Sequence, residues 1–278
     1  MYIFSSKWLR RGEAWYSRQE PTLPVDLVEY NQLPQPVPRA VSRPFYTYHI
    51  GLEGAPEAIF ARFNPTTRNE IRQARGKYGV TCRVSTSPTA ADASVFIEAY
   101  NAFARAKQRP ALDAGRFHRY LTDQSLWLSF AHSPRGELLV AHGNYIGGGR
   151  MRALYAVSPL RGDPDPEIRR IIGRAGRFLN WTDMLAARDF GLRVFDFGGW
   201  YAGTADSERL SINAYKSCFG GEVVCEYNSQ RAFTLKGYAA LAACALRDFV
   251  ARQRDWSTAR ATVSPPSANV ESQPSTGN

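Results

Sequence analysis

The sequence predicts an α/β fold in which one mixed sheet carries helices on both of its faces. From residue 66 onward, segments whose apolar residues recur at the helical period alternate with segments that have the pattern of strands. Three strand candidates, at 126–132, 137–147 and 150–158, are separated only by Pro134-Arg135-Gly136 and Gly147-Gly148-Gly149. Short connections of this composition are typical of hairpins. The three strands are therefore predicted to form an antiparallel meander within the sheet.

The other elements alternate along the chain and end at residues that stop regular structure. Gly79, Pro110 and Gly191 each follow a helical pattern, where they end a helix. The pattern predicts helices at 66–78, 91–109, 114–122, 167–190, 207–218 and 234–254, and further strands at 80–84, 192–197 and 222–227.

Composition excludes several classes of protein. The chain has 278 residues, 44% of them hydrophobic, which is enough to bury a large core. Its four cysteines form no CxxC pair and it has only four histidines, so we predict no metal site and no disulfide framework. No signal peptide is apparent, and the longest apolar run, 238–246, is shorter than the roughly 18 residues that a membrane span needs. We expect a soluble, cytoplasmic protein without a membrane span.

The formal net charge is +10, and it lies in the part of the chain that is predicted to fold. Arginine is concentrated in two stretches, 62–83 and 150–177. Such a field attracts partners that carry phosphate. A basic surface that only aids solubility is the alternative.

Three regions are predicted along the chain. Residues 1–60 read as a proline-rich, loop-rich N-terminal extension, with six prolines between 18 and 45. Residues 61–256 read as the folded domain, with a core at about 81–230. Residues 257–278 are rich in serine, proline and threonine and almost lack large apolar residues, so a disordered tail is predicted there.

Three segments of the folded region resemble one known family. They read RNEIRQARGKYGV at 68–80, LNWTDMLAARDFGLRVFDFGGW at 179–200 and INAYKSCFGGEVV at 212–224. A basic helix ending in Gly-Val, a block ending in Asp-Phe-Gly-Gly and a Phe-Lys-x-x-Phe-Gly-Gly box are similar to the Fem-type branch of the GNAT superfamily. The resemblance covers about residues 60–230. One departure is Tyr215, which stands where phenylalanine is commoner.

The element order from residue 81 is also similar to that of a GNAT domain. The resemblance therefore implies a GNAT-like sheet that is splayed, with the strand that ends near Val157 leaving the strand that begins near Val194. An all-helical bundle or a β-sandwich would contradict it.

The resemblance implies an N-acyltransferase that joins an acyl group to an amine. The donor implied first is an acyl thioester, acyl-CoA, and the acceptor is a small molecule, a sugar nucleotide or a peptide; no tightly bound cofactor is implied. The alternative donor is aminoacyl-tRNA, although Fem-type enzymes have paired domains, often with a helical arm, and no arm is apparent here. A non-catalytic, basic nucleic-acid-binding module is a third hypothesis, without a recognition motif to support it. The sequence leaves the oligomeric state open.

Three residues are the predicted catalytic groups. By resemblance, Lys216 neutralises negative charge on the donor or on the tetrahedral oxyanion. Tyr215 is a candidate to protonate the leaving group. Asp196 is a candidate to position or deprotonate the amine. The alternatives are an exposed helix lysine, a core aromatic, and an aspartate that caps the turn after its strand. Helical spacing predicts a buried stripe of Ile212, Tyr215 and Phe219, with Lys216 at its edge.

The donor phosphates are predicted to bind where the long helix begins. The segment fits the GNAT pattern Gln/Arg-x-x-Gly-x-Gly/Ala, in which free amides at a helix N-terminus hold a pyrophosphate. A helix that starts at Glu167 would leave few of these amides free, and close packing of small residues is the alternative. The predicted site comprises Arg170, Ile172, Gly173, Arg174, Ala175 and Gly176.

A second set of residues is predicted to bind the substrate. Arg68, Arg72 and Arg75 share one face of a helix and would suit an anionic acceptor or an RNA backbone. A solvated amphipathic helix is the alternative. Trp200, Tyr201 and Asn213, which lie in or beside the segments of resemblance, complete the set.

Overall fold

The computed structural model describes residues 1–5, 8–159 and 165–247. The predicted tail at 257–278 and the end of the last predicted helix lie outside these residues. Six helices are bounded as α1 (Pro56–Ala61), α2 (Pro65–Gly76), α3 (Ala90–Ala106), α4 (Ala114–Thr122), α5 (Pro166–Asp189) and α6 (Ser207–Ser217). Residues 235–247 are also helical.

The described strands form a single mixed sheet. They are β1 (Tyr2–Ser5), β2 (Arg10–Trp15), β3 (Leu27–Leu33), β4 (Val41–Gly51), β5 (Thr81–Ser85), β6 (Leu126–His132), β7 (Leu138–Gly147), β8 (Arg150–Val157), β9 (Val194–Gly199) and β10 (Glu222–Ala232). Their order across the sheet is β1-β2-β3-β10-β4-β9-β8-β7-β6-β5. The predicted meander is present, because β6, β7 and β8 pair antiparallel in sequence order.

The first sixty residues differ from the predicted loop-rich N-terminal extension, which is not confirmed. Four strands from this region join the sheet, and β4 lies near its centre, between β10 and β9. Five of the six prolines fall outside the strands, before β3 or between β3 and β4, and only Pro44 lies within one. The prolines therefore mark the connections and leave the strands intact.

The sheet is splayed between β8 and β9, as predicted. These two parallel strands pair only from Arg150 to Arg152 of β8, opposite Val194 to Asp196 of β9. β9 then continues alongside β4, which pairs with it as far as Gly199. A gap therefore opens beside the last residues of β9.

Helices cover both faces of the sheet, as predicted. On one face α5 packs Leu179 and Met184 into apolar clusters with strand residues, and α2 lies against α5. On the other face α3 and α4 pack Phe96 and Phe117 against β6. No helix among the described residues is long and apolar enough to cross a membrane.

The sheet curls until its first edge lies over its other half. Tyr2 of β1 hydrogen-bonds to Ser125, just before β6, with 2.6 Å between the oxygens. Trp15, at the end of β2, donates from Nε1 to the Tyr120 hydroxyl of α4 at 3.0 Å. We call the surface enclosed by this curl the inner face.

Candidate active site

Strand register places three polar residues side by side on the inner face. Asp196 of β9 lies opposite Arg152 of β8 and opposite His49 of β4. Residues opposite one another on neighbouring strands point to the same face of a sheet. The flanking Phe195 and Phe197 point to the other face and pack with α5 residues. Asp196 is thus the polar residue of an otherwise apolar strand end.

Asp196 is an ionised, fully occupied carboxylate. Its Oδ1 accepts hydrogen bonds from the Thr47 hydroxyl and from the Gly198 amide, the latter at 2.7 Å. Burial favours a higher pKa for this carboxyl, but the His49 hydrogen bond, the Arg152 charge and the Thr47 hydroxyl hold the pKa of Asp196 well below its usual range. A carboxylate with so low a pKa is a poor base, so the structure favours the turn-capping role over deprotonation of the amine.

Two further side chains extend this arrangement. Gln32 of β3 donates from Nε2 to Asp196 Oδ2 at 2.7 Å and to Glu226 Oε2 at 2.9 Å. Arg150 donates to the other oxygen of Glu226 at 2.7 Å. We call the whole set the inner-face cluster; it comprises Gln32, Thr47, His49, Arg150, Arg152, Asp196 and Glu226.

The inner-face cluster contains a possible set of metal ligands, namely His49, Asp196 and Glu226. Their chemistry does not fit a metal ion. Gln32 and Arg150 already donate to both oxygens of Glu226, and Gln32 also occupies Asp196. Two guanidinium groups beside these carboxylates would also repel a cation. No step in the proposed chemistry involves a metal.

Tyr16 covers the inner-face cluster. Its ring lies under the Arg150 guanidinium, 4.2 Å from centroid to Cζ. Its hydroxyl is buried and has no hydrogen-bond partner among the described residues. Burial, and then the Asp196 charge, raise the pKa of Tyr16 far above its usual value, so the hydroxyl stays protonated. A Cβ at Gly148, where φ is +56°, would lie 2.7 Å from Tyr16, so the turn between β7 and β8 needs glycine there.

Lys216 reaches the end of β9 from α6. It is only 8% exposed, and its ammonium donates to the carbonyls of Gly198, at 3.1 Å, and Gly199. Burial, and then the Arg152 charge, lower the pKa of Lys216 to about 8, with the Asp196 charge opposing both. The buried ammonium therefore lies beside the gap between β8 and β9. The alternative of an exposed helix lysine does not fit this geometry.

The predicted buried stripe of α6 is wrong in one position. Ile212 is 45% exposed, whereas Asn213, Lys216 and Phe219 are buried. Helix α6 is therefore rotated so that Asn213, and not Ile212, faces inward. The Asn213 side chain explains this rotation, because it accepts from the backbone N–H of Tyr201 and donates to the Tyr201 carbonyl. Asn213 therefore anchors the loop after β9, and both ends of its amide are used for this.

Tyr215 faces α5, away from the Lys216 ammonium. Its hydroxyl accepts from Asn180 Nδ2 at 2.8 Å, and the Arg177 guanidinium lies over its ring at 4.9 Å. The structure thus supports the core-aromatic alternative as much as the proposed proton donor.

The predicted donor-phosphate segment lacks the free helix amides on which the prediction was based. Helix α5 begins at Pro166, so Arg170, Ile172, Gly173, Arg174, Ala175 and Gly176 lie inside the helix. From Arg169 onward the amides bond to carbonyls four residues earlier, as that of Arg169 bonds to Asp165. The Asp165 carboxylate caps the first turn by accepting from Glu167 N at 2.7 Å. Free amides do not form an anion site at 172–176.

The other predicted substrate residues are dispersed. Arg72 and Arg75 are exposed on α2, where Arg72 lies over the Phe60 ring at 5.5 Å. Arg68 turns back to the Ala61 carbonyl. Trp200 stacks on Tyr48, with ring centroids 5.0 Å apart. Within the described residues, no hydrogen bond or ion pair joins this set to the inner-face cluster.

An open groove borders the inner-face cluster. It has a volume of about 360 Å³ and is lined mainly by side chains of β3, β4 and β10. Its lining includes Tyr30 of β3 and Asn228 and Gln230 of β10.

Sequence reasoning missed most of the inner-face cluster. The signal for Arg150 and Arg152 was present, because alternate positions in a strand share a face. Gln32, His49 and Glu226 lie on strands far apart in sequence and carry no local motif.

The geometry defines a mixed α/β fold with a splayed sheet and a buried ammonium at the gap. Solved structures with this fold include FemX, with 14% identity and a TM-score of 0.54, covering 66% of this chain and 61% of FemX. They also include L-PGS from Bacillus licheniformis, with 13% identity and a TM-score of 0.50, covering 78% of this chain and 71% of that one. These likenesses confirm the Fem-type resemblance at the level of the fold. The chain thus spans about three fifths of FemX, and no family model or curated protein sequence matches it.

Proposed function

We propose that this chain is an N-acyltransferase that transfers an acyl group from an activated donor to an amine. The observation that carries the proposal is the position of Lys216, a buried ammonium held at the Gly198 and Gly199 carbonyls where β9 separates from β8. A fixed cation in a site with little water is suited to stabilise a developing oxyanion.

In the proposed reaction the amine nitrogen attacks the acyl carbon of the donor. The carbonyl oxygen gains negative charge as the tetrahedral intermediate forms, and the Lys216 ammonium neutralises it. The bond from carbon to the leaving sulfur or oxygen then breaks, and the amide remains. The amine reacts in its neutral form, so its nitrogen loses one proton and the leaving group gains one. An acceptor that binds as an ammonium first releases one further proton to water. With a pKa of about 8, Lys216 is mainly protonated at neutral pH.

The proposal keeps acyl-CoA as the first donor and aminoacyl-tRNA as the alternative. Both donors carry phosphate, which suits the net charge of +10. The capped start of α5 removes the helix-amide cradle as a support for coenzyme A. Contacts with donor phosphate would therefore come from side chains.

The test is a search for the amide product. The protein is incubated with a panel of acyl-CoA thioesters, or with charged tRNA, together with a mixture of amines. Products are identified by mass spectrometry. We expect one amide for each donor consumed, and the reactive donor class identifies the donor. If neither class gives an amide above the rate without protein, the proposed function is wrong.

A further inference from the structure

The groove and the inner-face cluster adjoin one another along β10. Glu226, Asn228 and Gln230 alternate along β10, so their side chains point to the same face. The first belongs to the cluster and the other two line the groove. The side-chain oxygen of Asn228 also accepts a hydrogen bond from the backbone N–H of Gln32 at 2.9 Å. A molecule in the groove would therefore meet Gln32 and its neighbours at one end.

The inner-face cluster has buried polar atoms without partners. Gln32 is 2% exposed, yet its Oε1 has no hydrogen-bond partner among the described residues. The same is true of the Tyr16 hydroxyl and of Arg152 Nε. A buried polar atom that stays unsatisfied destabilises the fold, so a ligand that supplies the missing hydrogen bond gains affinity. One is an acceptor and two can donate, so a ligand that satisfies them offers both a donor and an acceptor.

The charges of the inner-face cluster favour the same kind of ligand. Leaving His49 aside, the carboxylates of Asp196 and Glu226 balance the guanidinium groups of Arg150 and Arg152. An isolated cation would be repelled by the arginines, and an isolated anion by the carboxylates. A ligand with adjacent positive and negative ends matches both halves of the site.

We propose that the inner-face cluster binds the α-amino group of the acceptor together with the adjacent carboxylate or carbonyl oxygen. This inference rests on the proposed acyl transfer. The amino group donates to Gln32 Oε1 beside the two carboxylates, and the oxygen accepts from Arg152 Nε and the Tyr16 hydroxyl. The acceptor is thus a free amino acid or the N-terminus of a peptide, and the groove holds the rest of it.

The position of Gly198 supports this assignment. Its amide donates to Asp196 and its carbonyl accepts from Lys216. An amino group bound beside Asp196 would therefore be separated by Gly198 alone from the Lys216 ammonium, which is proposed to stabilise the oxyanion.

Binding without a donor tests the proposal. The twenty standard amino acids, their carboxamides and their N-acetyl derivatives are screened by saturation-transfer NMR, and a Kd is measured for each compound that binds. We expect at least one amino acid or amide to bind, with N-acetylation abolishing the binding. The stronger of acid and amide distinguishes a free amino acid from a peptide N-terminus.

Tyr16→Phe is the decisive variant, because it removes a hydroxyl that has no hydrogen-bond partner in the described part of the chain. We expect an unchanged melting temperature and a Kd weakened about 5- to 10-fold. Ser129→Ala is the control, since its fully buried hydroxyl also lacks a hydrogen-bond partner among the described residues but lies opposite His142 on the face covered by α5, away from the groove.

Three results would overturn the proposal: no binding by any amino acid or amide, equal binding after N-acetylation, or equal effects of Tyr16→Phe and Ser129→Ala on the Kd. In each case a water molecule would be the better occupant of the cluster. A chain that binds amino acids but forms no amide would keep this site and lose the proposed function.

Discussion

The chain buries ionisable side chains on both faces of its sheet, and the two groups differ in whether a ligand can reach them. On the face covered by α5, His142 Nδ1 lies 2.7 Å from Asp183 Oδ2, and the two residues are only 4% and 0% exposed. On the inner face, the cluster around Asp196 borders an open groove and the gap beside β9. Both groups of side chains are buried. Access to a ligand separates them.

The buried pair of His142 and Asp183 also resembles part of a catalytic motif. Ser129 lies opposite His142 on the neighbouring strand, so a serine, a histidine and an aspartate lie close together. The Ser129 hydroxyl has no hydrogen-bond partner among the described residues and is fully buried. A nucleophile needs both an activating base and a path for the substrate. We therefore assign this group a structural role.

Removing one carboxylate from each place gives the largest expected difference. Asp196→Ala would leave the Arg152 guanidinium buried without its counterion, and should lower the free energy of unfolding by about 3–5 kcal/mol. Asp183→Ala should cost less, about 1–3 kcal/mol, because it removes one hydrogen-bond partner of His142 and leaves no buried guanidinium without a counterion. Urea unfolding measures both. An equal loss would mean that the two sites are not electrostatically distinct.

The pH dependence of stability is the next test. The pKa of Lys216 is lowered to about 8 in the folded protein from 10.5, so between these values the unfolded chain binds more protons at this position. Stability should therefore rise with pH from about 8 to 10.5, by at most about 3 kcal/mol. Lys216→Met, which keeps the aliphatic stem, should lose this rise. The same slope in both proteins would show that the lysine is not desolvated.

Tyr215→Phe should have the smallest effect. The hydroxyl accepts a hydrogen bond from Asn180, and loss of this bond should cost about 1 kcal/mol of stability. We expect turnover to change by less than about tenfold, below what general acid catalysis contributes. A larger loss of turnover, without further loss of stability, would restore Tyr215 as the proton donor.

The sequence could predict the elements that depend on local pattern. The meander, the long helix and the positions of Asp196 and Lys216 followed from periodicity, turn residues and the Fem-type resemblance. The prolines of 18–45 led to a prediction of loops, and the strands beside them were missed. That these prolines lie between strands is visible only once the strand pairing is known.

The inner-face cluster could not be predicted in this way. Gln32 and Asp196 are 164 residues apart in the chain and meet only because β3 and β10 pair. The rotation of α6 depends on the Asn213 amide and not on apolar spacing. Long-range strand pairing thus decides which polar residues meet.

Single-turnover kinetics of Lys216→Met test the central claim most directly, once a donor is identified. Loss of an oxyanion contact typically costs about 3–4 kcal/mol, so the rate of amide formation should fall by on the order of a hundredfold or more. Lys216→Arg should rescue it poorly, because a guanidinium is planar and larger. Lys107→Met, at an exposed lysine just after α3, is the matched control. A rate equal to that of the unmodified protein, with only a lowered melting temperature, would contradict a catalytic Lys216 and leave it a structural role.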